Sequence, residues 1–79
     1  MMSQKLPILK AKMIEKALLC LGFSCVRKRG SHKIFRNKEG LGTVVPFHAG
    51  QDIDRTLLVS IIREIGMSNE EFTALMKKL

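Results

Sequence analysis

The 79-residue chain has no tryptophan or tyrosine, only two prolines, two cysteines and two histidines, and half as many carboxylates as basic side chains. Cys20 and Cys25 cannot build a disulfide scaffold, and they lack the companions of a zinc site. Both read as reduced structural residues. No apolar run approaches the roughly 20 residues that a membrane helix needs. The opening Met1-Met2-Ser3-Gln4-Lys5 leads into no apolar core with a small-residue cleavage site, so no signal peptide and a cytoplasmic location are expected. The seven carboxylates are scattered over helices and loops. They offer no clear metal site, and no cofactor is expected. Ser31 and His32 are adjacent but lack the oriented Asp of a hydrolase triad, and no nucleophile elbow exists. Gly40-Leu41-Gly42 is too short for a dinucleotide loop.

What is present is positive charge. Fourteen Lys and Arg against seven Asp and Glu give a formal net charge of +7, which favours an anionic partner. Hydrophobic residues make up 46% of the chain, enough to argue against disorder. The length has room for one domain, taken as residues 1–79. The charge is concentrated between Arg27 and Lys38: Arg27, Lys28, Arg29, Lys33, Arg36 and Lys38, with no carboxylate among them. Ordinary surfaces intersperse the two signs. His32 lies inside this strip, directly after Gly30-Ser31.

Periodicity supplies a scaffold. Pro7 can open a helix, since its fixed φ suits the first turn. From Ile8 to Leu21, Ala11, Ile14, Leu18 and Leu21 recur at helical spacing, widened by Ala17, and Gly22 stops the helix. Phe23 to Arg29, His32 to Arg36 and Thr43 to Val45 read as strands, with turns at Gly30-Ser31 and at residues 37–40. Asp54 caps a second helix, Arg55 to Ile65, whose face is Leu57, Leu58, Ile61, Ile62 and Ile65. Ser68 and Glu71 have capping-box spacing and open a short last helix with Phe72, Leu75, Met76 and Leu79. The fold expected is α+β: a three-stranded antiparallel meander with the helices on one face and the other free for a ligand. Alternation places His32 with Ile34 and Arg36, and Phe35 with Ser31 and Lys33. Either Ile34 or Phe35 is then partly exposed, or a bulge shifts the register.

The strip attracts phosphates, and a histidine moves protons near neutral pH. Gly30 permits close approach of a backbone or phosphate, and the Ser31 hydroxyl can donate beside the ring. The reaction this suits is RNA cleavage by the neighbouring 2′-hydroxyl: a base takes its proton, the oxygen attacks phosphorus, and cations stabilise the developing charge. It needs no metal. His48, just past the third strand, is an auxiliary candidate as general acid or phosphate contact. The strip is poor in aromatics for stacking unpaired bases, so backbone recognition fits better than base readout. Two readings without catalysis stand beside this one. The same face can serve a non-catalytic RNA-binding module, or a regulatory protein that docks an acidic partner.

Several stretches together resemble the HicA toxins. They are Leu6-Pro7, Leu21-Gly22-Phe23, Gly30-Ser31-His32 after a basic strand, Thr43 to His48, Thr56-Leu57-Leu58 leading to Ile61-Ile62 and Gly66, and Ser68 to Phe72. The resemblance implies a fold like that of double-stranded-RNA-binding domains, in α-β-β-β-α order, and a metal-independent mRNA interferase. It places the catalytic histidine at His32 and implies a HicB-type antitoxin as partner beside the mRNA substrate. The residues expected to contact RNA are Lys28, Arg29, Gly30, Ser31, Lys33 and Arg36. One stretch departs from the family: Ile53-Asp54-Arg55 stands where a basic residue and a glycine commonly precede the Thr-Leu of the second helix.

Overall fold

A computed structural model describes residues 6–79, so the expectation about a leader at residues 1–5 lies outside the described part. The elements run α1 (Ala11–Cys20), β1 (Ser24–Arg29), β2 (His32–Arg36), β3 (Gly42–Pro46), α2 (Arg55–Glu64) and α3 (Asn69–Lys78). Fold class and element order are those read from periodicity.

The entry into α1 differs. Pro7 does not start a helix; α1 begins four residues later, with Lys10 as an extended N-cap. Before it, Leu6 and Leu9 are buried in the core. Lys10 pairs with Asp52 in an isolated bridge, and the Ile53 N–H donates to the Leu9 carbonyl at 2.7 Å. A helical turn at Pro7 would forgo these backbone bonds, and tertiary pairing overrides the local signal. Leu21 also leaves the expected stripe: it is the C-cap and 37% exposed, while Ala11, Ile14, Ala17 and Leu18 are buried.

The sheet order is β1-β2-β3, antiparallel throughout. Phe35 pairs with Thr43 and Lys33 with Val45. Phe35 and Val45 are fully buried and Thr43 nearly so, which places this face against the helices. The Thr43 hydroxyl donates to Glu64 of α2 at 2.7 Å. The opposite face carries the alternate residues: Arg29 across from His32, Arg27 across from Ile34, and Ile34 across from Val44. The ambiguity between Ile34 and Phe35 therefore resolves with Phe35 in the core and Ile34 half-buried on the open face. A bulge is present as well, but in β1, between Cys25 and Arg27.

Both later helices are capped as their sequences require. Asp54 accepts from the Thr56 N–H, and Ser68 and Glu71 form a reciprocal capping box. Helix α3, expected to be short, has the same 10 residues as α1 and α2. It contributes Phe72, which is fully buried with Ile14, Leu18, Phe35, Leu58, Ile61 and Ile62.

Candidate functional site

Strand β1 is exposed along its whole length, and His32 and Arg36 of β2 are exposed too. Arg27 and Arg29 lie two residues apart on one strand, so their side chains leave the same face. Arg36 is on that face because it is two and four residues from Ile34 and His32 in β2. Among the described residues the ion pairs are Lys10–Asp52 and Lys33–Glu15. Arg27, Arg29 and Arg36 are in neither, so the open face keeps its positive charge. Ile34 and Val44 (42% exposed) form an apolar centre between the arginines.

His32 owes its place to the turn before it. Strands β1 and β2 are joined by two residues, and Gly30 has φ +59° while Ser31 keeps a negative φ. This is the pattern of a type II′ hairpin turn, which matches the twist of the strands. A Cβ on Gly30 would meet nothing within 4 Å, so glycine is favoured there by conformation rather than by a close neighbour. The turn puts His32 at the first position of β2, across from Arg29 on one side and Pro46 on the other.

His48 comes to the same end of the sheet. Just past Pro46, the Phe47 N–H donates to the Ser31 carbonyl at 2.6 Å, extending the β2–β3 ladder one step beyond His32. The next residue is His48, whose ring centroid lies 6.2 Å from that of His32, with the planes at 80°. The His48 carbonyl accepts from the Gln51 N–H at 3.1 Å, closing a turn whose third residue, Gly50, has φ +75°. The chain's two histidines are therefore neighbours at one rim of the basic face.

Lys33 and Lys28 are placed differently from Arg29 and Arg36. They oppose each other on the helix-facing side of the β1–β2 pair. The Lys33 ammonium is 3.0 Å from Glu15 Oε2 of α1 and 4.3 Å from the centre of the Phe47 ring. Both charged partners are about three-quarters buried, at 24% and 22% exposure. This contact ties α1 to the residue preceding His48. Sequence reasoning did not assign Arg27, Glu15 or Phe47 to the site. The i, i+2 relation to Arg29 was the available signal for Arg27; Glu15 and Phe47 depend on tertiary placement and carried none.

Two concavities meet at His48. One, of about 340 Å³, is lined by Lys10, Lys12, Phe47, His48, Gly50 and Gln51. The other, about 180 Å³, is lined by residues including Pro46, His48, Gln51, Asp52 and Leu57. A concavity of about 440 Å³ at the far end of the sheet, beside Ile34, Leu41 and Glu64, has no histidine. Among the described residues, no three His, Cys, Asp or Glu side chains gather as ligands for a metal ion. No helix among them is long and apolar enough to cross a membrane.

Fold and surface together define a class: a small basic α+β domain whose three-stranded sheet leaves one face uncovered. The chain belongs to the HicA family, matching the HicA toxins of bacterial toxin–antitoxin systems over residues 11–67. It is thus a toxin component, and membership implies an antitoxin as partner. No curated protein matches it. The matched stretch runs from the start of α1 to just past α2. The Leu6-Pro7 opening and the Ser68 to Phe72 tail lie outside it.

Proposed function

We propose that the chain is a metal-independent endoribonuclease that cleaves mRNA in the cytoplasm, with His32 taking the proton from the 2′-hydroxyl. One observation carries the reading: an exposed histidine stands at the rim of a sheet face bearing three arginines that, among the described residues, no carboxylate pairs with. Arg27, Arg29 and Arg36 hold the phosphates along this face, while Lys28, on the opposite side, adds long-range attraction at the strand edge. Arg29, directly across from His32, stabilises the charge that builds on phosphorus during attack. Gly30 and Ser31 let the backbone come close to the ring, and the Ser31 hydroxyl orients a phosphate oxygen. Lys33, paired with Glu15, contributes by bracing the site more than by direct contact. The antitoxin is of the HicB type and covers the same face.

The reaction predicts its products. Attack by the 2′-oxygen leaves a 2′,3′-cyclic phosphate on one fragment and a 5′-hydroxyl on the other. A single 2′-deoxy substitution at a mapped cleavage site is expected to abolish cutting there and nowhere else. Fragments ending in a 5′-phosphate, or cutting that ignores the substitution, would refute 2′-hydroxyl attack.

A further inference from the structure

We infer that His48 is the second catalytic group of this site, donating the proton that the departing 5′-oxygen needs. The inference rests on the ribonuclease reading above and goes beyond it by assigning the leaving-group side of the reaction.

Ring centroids 6.2 Å apart leave no direct hydrogen bond between the imidazoles, since each nitrogen lies only about one bond length from its ring centre. That separation is of the size that one phosphate, accepting from both rings through hydrogen bonds of roughly 2.7–3.2 Å, would bridge. The near-perpendicular planes, at 80°, also keep the two rings from stacking on each other. Both histidines are exposed, so neither is occupied in the core.

His48 is also firmly placed. Phe47 is fixed on its backbone by Ser31 and on its ring by the Lys33 ammonium, which Glu15 holds in turn. The turn from His48 to Gln51 closes on the other side. Ser31 and Phe47 are the immediate chain neighbours of His32 and His48, and one hydrogen bond joins them. Two imidazoles are thereby set into adjoining backbone turns at a defined spacing. Preorganisation of this kind is what a two-sided proton transfer requires.

The chemistry then needs both. The 2′-O–P bond forms as the 2′-hydroxyl proton passes to His32. The P–O5′ bond breaks as the electron pair goes to the 5′-oxygen, which takes a proton from His48. One ring starts neutral and the other charged, and the products are the cyclic phosphate and a free hydroxyl. The cleft of about 340 Å³ on His48 gives the departing strand room beside Lys12.

The test replaces the leaving oxygen. In an RNA oligonucleotide with a bridging 5′-sulfur at the cleavage site, the thiolate departs without a proton. His48→Ala is expected to slow the all-oxygen substrate by about 10²–10⁴-fold, yet leave the sulfur substrate within a few-fold of the unaltered protein. His32→Ala slows both. His48→Gln serves as a second variant, and both are compared with the unaltered protein by thermal melting. Equal slowing of both substrates by the His48 variants makes His48 a positioning residue and overturns the assignment, as does His32-dependent cleavage that neither variant slows. If the unaltered protein cuts neither substrate, the ribonuclease reading fails first, and the pair with it.

Discussion

Gly30 and Lys33 show how single residues here act through geometry. Gly30 holds a positive φ in a turn with open space around it. Gly30→Ala is therefore expected to cost about 1–2 kcal/mol through backbone strain alone, read as a lower melting temperature. Cleavage should fall further than that loss explains, because the turn aims His32. Lys33 is legible in the sequence as one more cation of a basic strip. Its actual partner, Glu15, is eighteen residues away on another element, and no local pattern announces it. The Lys33–Glu15 pair lies between exposed and buried, so Glu15→Gln is expected to cost about 1–2 kcal/mol in denaturant unfolding. Asp52→Asn at the exposed Lys10 pair should cost under about 0.5 kcal/mol. Similar costs for the two would mean that the Glu15 contact holds nothing in place.

At the level of elements, the parts with local causes were readable and the parts with tertiary causes were not. Caps are local: Asp54 and the Ser68–Glu71 box depend on residues within one turn, and both form as their spacing requires. Ser68→Ala is expected to cost about 1 kcal/mol by denaturant unfolding. Pro7 does not mark the start of α1, because it is as compatible with an extended strap as with a first helical turn. Leu9 and Lys10 settle it through partners at Asp52 and Ile53, more than forty residues on. The β2 alternation gave the right sets of residues but not which set faced the core. Phe35 wins that face because Thr43 and Val45, its neighbours across β3, are buried with it. His32 was readable from its triplet. The approach of His48 was not, because it depends on β3 ending where Phe47 can bond Ser31.

On the scale of the whole molecule, one sheet separates two tasks. Its inner face closes a core that α3 completes, although α3 lies beyond the residues matched to the family. Phe72→Ala is expected to cost about 3–5 kcal/mol, a large share of what a domain this small has, and a melt should show a mostly unfolded chain at modest temperature. The outer face carries unneutralised charge, so RNA affinity should fall steeply with salt. Replacing Arg29 or Arg36 by Ala should lower the slope of log K against log salt by about 0.7 for single-stranded RNA, measured by titration at several ionic strengths. An unchanged slope would remove that arginine from the RNA path.

Whether His32 performs chemistry rather than binding decides the proposed function. The measurement that bears on it most directly is cleavage of a long RNA in excess chelator by the unaltered protein and by His32→Ala, with RNA affinity and melting temperature recorded for both. Cleavage by the first only is expected, with affinity and stability nearly equal. Binding by both without cleavage by either would make the domain an RNA-binding module, and equal cleavage by both would contradict a catalytic role for His32.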